Sequence, residues 1–168
     1  MCPAGRRRTQ ESGLETKHGG EMKVTDVNGL VGGIVAAYSA AVYSKNVDAF
    51  MQLYASNVRV FDAWGVWSYG GASAWRNAAG GWLGSLGSER VQATFEDVEV
   101  LGTQDLCYAS AIVTYASISE AGERLRAMQN RVTWVLAFRN DGMKIVHEHT
   151  SAPAGFEDMK VMLSRDDP

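Results

Sequence analysis

The sequence predicts an α+β domain in which a long, curved antiparallel sheet wraps around three N-terminal helices packed on one face. Three observations carry this. Apolar residues recur at helical spacing in the first half of the chain and alternate along most of the second. The elements run helix, helix, strand, helix, then four strands able to pair as meanders. Arg131 to Pro153, RVTWVLAFRNDGMKIVHEHTSAP, reads as two apolar strands joined by a tight turn at Asn140-Asp141-Gly142. A hairpin this apolar must pack against something. A sheet curled over helices leaves a cone with an apolar interior, where small ligands bind.

Each element has its own signal. Thr25 or Asp26 caps a first helix with Val27, Leu30, Val31, Ile34, Val35, Tyr38, Ala41 and Val42 on its apolar side, ending near Ser44-Lys45-Asn46. Asn46 or Asp48 starts a shorter helix carrying Val47, Phe50, Met51, Leu53 and Tyr54, closed by Asn57. Val58 to Trp64 reads as a strand interrupted by Asp62, and Gly65 to Gly71 as a loop bearing Trp67 and Tyr69. The third helix, Ala72 to Leu86, places Trp75, Ala79, Trp82, Leu83 and Leu86 at helical steps. Gly80-Gly81 inside it either weakens the helix, at ~1 kcal/mol each against Ala, or marks close packing. Strands follow at Val91–Leu101, Leu106–Ile118, Leu125–Arg139 and Met143–Thr150, stopped by Pro153. Residues 154–168 form an extension with Phe156, Met159, Val161, Met162 and Leu163, read as a short helix that covers an edge or docks on a partner.

At 168 residues the chain is one domain with room for a core. Residues 24–153 form the folded part. Met1 to about Lys23 reads as a mobile polar tail, or else as a start placed too early or a small docking arm. Without that tail the formal charge of -3 becomes more negative, with 11 basic against 16 acidic side chains. No basic face survives, and nucleic acid is excluded as an expected partner. No apolar run approaches the ~18 residues of a membrane span, and Arg6–Arg8 lack the apolar stretch of a secretory signal. Two cysteines, Cys2 and Cys107, indicate no disulfide framework and fit a reducing cytoplasm.

The order of elements, LYASNVRVFDAWG at Leu53–Gly65 and KIVHEHTSAP at Lys144–Pro153 resemble the nuclear transport factor 2-like superfamily. Within it the match is to SnoaL-like and ketosteroid-isomerase-like domains, over about Val27 to Pro153. The C-terminal motif is also similar to the association domain of calcium/calmodulin-dependent kinase II. The resemblance implies a pocket for a small hydrophobic molecule and a homodimer formed through the outer face of the sheet. It also implies two catalytic positions. The aspartate base of ketosteroid isomerase falls on Asp62, and in the same ungapped register its tyrosine falls on Tyr38. A carboxylate in an apolar pocket has a raised proton affinity and can abstract a proton beside a carbonyl, while a tyrosine hydroxyl stabilises the oxyanion. The family's second acid falls near Thr133, Trp134 or Val135, none of them acidic, which removes one oxyanion donor.

Strand alternation puts Arg131, Thr133 and Val135 on one face, and Val146, Glu148 and Thr150 on one face of the neighbouring strand. The kinase-domain resemblance implies that the latter three face the pocket, so Arg131 and Glu148 are expected either to orient substrate beside Asp62 and Tyr38 or to form a buried ion pair. Trp64 and Trp67, beside Asp62, are candidates for ligand contact through flat apolar area, with Trp134 as core or pocket wall. His147 and His149 share a face at a spacing able to ligate metal. No third ligand is marked out, so hydrogen bonding or packing is the expectation, with His149 also a candidate substrate contact. The leading functional expectation is an isomerase or cyclase acting beside a carbonyl without a cofactor. The alternative is a non-catalytic ligand-binding or oligomerisation module.

Overall fold

The computed structural model describes residues 26–103 and 105–165. The expected N-terminal tail lies outside them. Helix α1 (Val27–Tyr43) starts at Asp26, whose carboxylate accepts the N–H of Asn28 at 3.0 Å, and it buries Val31, Tyr38, Ala41 and Val42. That contact satisfies a backbone donor the helix leaves open. Helix α2 (Val47–Met51) is capped by Asn46 through the N–H of Ala49. It is shorter than the apolar pattern predicts because the chain is drawn into the sheet. The carbonyl of Leu53 accepts the N–H of Ile145 at 2.8 Å, and strand β1 (Tyr54–Phe61) begins at the next residue.

Strand β2 (Tyr69–Gly70) folds back on β1, and helix α3 (Ala72–Ser85) follows. A Cβ built on Gly80 or Gly81 meets nothing within 4 Å, so packing requires neither glycine. Four long strands complete the chain: β3 (Arg90–Gly102), β4 (Leu106–Ile118), β5 (Arg124–Arg139) and β6 (Gly142–Ser151). The sheet order is β2-β1-β6-β5-β4-β3, antiparallel throughout except for the parallel pairing of β1 with β6. Ladder irregularities at Glu96/Glu99 and Val135/Leu136 accompany the curvature, as bulges bend strands.

The face turned to the helices carries Val58, Val60, Val113, Val132, Trp134, Leu136 and Ile145, packed with Val31, Val42, Phe50 and Leu83. Among the described residues beyond Pro153 there is no helix. Phe156, Met159 and Val161 stay exposed, so no apolar face is buried to support one. Instead Ala154 bridges to Val161, and the carbonyl of Leu163 accepts the N–H of Gln129 at 2.7 Å. Arg165 then pairs with Glu96 and Asp97 on β3. The C-terminal segment is a strap along the part of β5 that outruns β6.

Candidate functional site

The site is built on the ladder between β5 and β6. Glu148 stands opposite Trp134, and both point to the helix side. Glu148 is 2% exposed, and its Oε2 accepts two donors, the hydroxyl of Tyr54 at 2.7 Å and the indole N–H of Trp134 at 2.8 Å. No salt bridge reaches it among the described residues. Burial pushes its carboxyl up to about 7, against the pull of the Tyr54 and Trp134 hydrogen bonds, with the charge of Asp62 adding to the rise. With Oε2 engaged twice, the proton that this acid holds belongs on Oε1.

Asp62 follows β1 at the cavity wall. Its Oδ1 accepts the hydroxyl of Thr150 at 2.9 Å, and the Thr150 oxygen in turn accepts the N–H of Ala63 at 2.8 Å. Burial raises the Asp62 carboxyl, opposed by Thr150 and the neighbouring backbone N–H groups. No cation pairs with it among the described residues. Two carboxyl groups of raised proton affinity thus face one apolar space, and the charge of Asp62 disfavours ionisation of Glu148.

Tyr38, from α1, and Tyr115, from β4, complete the polar end with hydroxyls 2.8 Å apart. Burial raises both phenols, so both stay protonated at neutral pH and can donate. Around these groups lies a cavity of about 610 Å³. Its apolar walls come from Trp64, Tyr69, Trp75, Ala78, Trp82, Leu86, Val91 and Met128, and Leu163 of the C-terminal strap reaches it. Arg126 at its rim is engaged by Glu89 through two contacts, 2.7 and 3.2 Å.

Asp62, Tyr38, Glu148 and Trp64 therefore meet at one cavity. Trp134 supports Glu148 from behind. Arg131 does not join them. It lies opposite Ile112 and Ser151, on the solvent side of a strand whose inward residues are Asn130, Val132 and Trp134. The ion pair with Glu148 is therefore absent, because the register sets even-numbered β5 residues against Glu148. Trp67 is 98% exposed and lies away from the cavity, since the loop carries it outward past Gly65. His149 is exposed on the outer face, where its ring and that of His147 stand edge-on to Phe61. Thr150 lines the cavity, as the kinase-domain resemblance implied, while Tyr54, Tyr115 and Asn130 carry polar atoms of the site that residue type alone did not single out. The alternation of β4 was the available signal for Tyr115.

A family model described as SnoaL-like domain matches residues 31–155. The chain belongs to the SnoaL-like domain family. Solved structures agree on the fold. An NTF2-like protein of unknown function from Pseudomonas putida KT2440 is 18% identical over 82% of this chain and 94% of its own, with a TM-score of 0.72. A candidate calcium/calmodulin-dependent protein kinase II association domain from Xanthomonas campestris is 18% identical over 73% and 85%, with a TM-score of 0.62. A protein of unknown function with a cystatin-like fold from Nostoc punctiforme is 13% identical over 77% and 93%, also at 0.62. A comparison with curated proteins finds no match. This SnoaL-like domain thus has the nuclear transport factor 2-like fold expected of it. None of its described helices is long and apolar enough to cross a membrane.

Proposed function

We propose that this SnoaL-like domain binds a small apolar carbonyl compound and moves a proton on the carbon beside the carbonyl, as an isomerase or cyclase. The observation that supports it is the pairing of Asp62 and Glu148 in one aromatic-walled cavity with no cation holding either (among the described residues). Between the two pH values at which they titrate, the more exposed Asp62 is ionised and the enclosed Glu148 keeps a proton. Asp62 then takes the proton from carbon, and the electron pair of that C–H bond moves onto the carbonyl oxygen. Tyr38 and the protonated Glu148 donate hydrogen bonds to the resulting oxyanion. Glu148 thereby supplies the second acid that Thr133, Trp134 and Val135 lack. Asp62 returns its proton to another carbon, which completes an isomerisation without a cofactor.

The test is a thermal-shift and crystal-soak screen of hydrophobic ketones on wild type and Asp62→Asn. Binding by both forms, with turnover lowered about 10²- to 10⁴-fold in Asp62→Asn, is the expected result. Unaltered behaviour of Asp62→Asn, or a pocket that takes no ketone, returns the chain to the reading of a non-catalytic module.

We also infer that two copies pair through the outer sheet face, where the apolar Phe61 and Val135 lie half-buried beside His147 and Thr133. Sedimentation equilibrium at micromolar concentration should then give twice the chain mass, and a monomer there overturns the pairing.

A further inference from the structure

Asn130 is a buried polar residue of the cavity that the proposed chemistry does not use. It projects from β5 to the helix side, is 6% exposed and lines the cavity. Its Oδ1 is shut off from solvent with no hydrogen-bond partner among the described residues. The reason is local. On the inner face its neighbours are Val132 and Met128 along β5 and Val113 across the ladder, and none of these side chains can donate. An unpartnered amide oxygen in such surroundings costs stability, so the folded protein holds a polar atom that the empty cavity does not satisfy.

Its position relative to the reacting groups is set by the ladder. Thr150, which holds Asp62, lies opposite Val132, and Asn130 is the next inward residue of β5 toward Arg126. Two strand residues span roughly 7 Å. Glu148 lies opposite Trp134, two inward positions beyond Asn130 or roughly 13 Å along the strand, so a ligand whose carbonyl accepts from Glu148 reaches Asn130 with a substituent at the far end of a fused two-ring frame. Rotation of the carboxamide about its last torsion offers either the oxygen or the NH₂. A hydroxyl donates and accepts, so it matches both.

We propose that Asn130 is a specificity-determining residue that reads a hydroxyl on the far side of the ligand from its carbonyl, so the cavity selects hydroxy-ketones over bare ones. This rests on the reading that the cavity holds a ketone. Calorimetric titration with 6-hydroxy-1-tetralone and its 6-methyl counterpart tests it on wild type and Asn130→Leu. The hydroxy compound is expected to bind wild type about three- to tenfold tighter than the methyl compound. In Asn130→Leu the ratio falls to about one, while the empty protein melts about 2–4 °C higher for having lost an unsatisfied polar group. Equal affinities in wild type, or selectivity kept in Asn130→Leu, overturn the assignment to Asn130 and leave the ketone reading standing. Failure of both ketones to bind overturns the ketone reading and this one with it. Asn130→Ala serves if leucine proves too large to fold.

Discussion

Glu148 lies directly across the β5–β6 ladder from Trp134, and the Trp134 indole N–H donates to its Oε2 at 2.8 Å. With Tyr54 donating to the same oxygen, the carboxyl is held in one orientation inside an aromatic shell. This arrangement has consequences measurable without knowing the substrate.

The first is a pH dependence of stability. The Glu148 carboxyl is raised in the folded state to about 7 from its ordinary 4.5. Between those values the folded protein holds a proton that the unfolded chain releases, so stability falls as pH rises and levels off above the upper value. The stability concerned is fully present below about pH 4.5 and amounts to roughly 3 kcal/mol. Glu148→Gln keeps an acceptor for Tyr54 and Trp134 but does not titrate. Its denaturant midpoint, compared with wild type at pH 5 and pH 8, should show a smaller fall. Parallel falls in both proteins would mean that Glu148 is not the group responsible.

Tyr54→Phe keeps the ring in the core and removes one donor to Glu148. That hydrogen bond favours the charged form, so its loss pushes the Glu148 carboxyl further up. The variant should therefore be destabilised more at pH 8 than at pH 5, by about 1.5–3 kcal/mol at the higher pH. A cost independent of pH would instead make the contact one between neutral groups.

Gly81 is exposed in the interior of α3, and a Cβ there meets nothing. Gly81→Ala should stabilise the fold by about 0.5–1 kcal/mol, chiefly by narrowing the unfolded ensemble. Thermal melts of the two proteins decide this. A lower melting temperature would show that the glycine serves a close approach after all.

Leu163 reaches the cavity while its carbonyl accepts the N–H of Gln129, and Arg165 anchors the strap to Glu96 and Asp97. The anchoring pairs are exposed and together contribute little. Ending the chain at Pro153 should leave the fold intact and free the Gln129 amide, raising its hydrogen-exchange rate while inner β5 amides such as that of Trp134 keep theirs. Unchanged exchange at Gln129 would remove the strap from the account of the cavity.

Much of this architecture was legible in the sequence, and the reason is local. Asp26 and Asn46 cap helices because their side chains satisfy nearby backbone donors, and Asn140-Asp141-Gly142 turns the chain because glycine there takes a φ of 109°. β4 reads as a strand from its own alternation. Asp62 and Tyr38 were found through resemblance, and the cavity holds both.

What local signals cannot settle is how neighbouring strands align. Alternation says that Arg131 and Thr133 share a face, but not whether that face matches the one carrying Glu148. Only the register does, and a one-residue slip turns every side chain over. The observed register sets Trp134 and Asn130 inward and Arg131 into solvent. Long-range pairing likewise ended α2 early, when Ile145 took the carbonyl of Leu53. By itself the sequence determined helices α1 to α3 and strands β1 and β3 to β6 in their order, but not β2 or the strap after Pro153. Tertiary structure alone decided which polar groups share the cavity, because burial and cross-strand partners exist only once distant segments pack together.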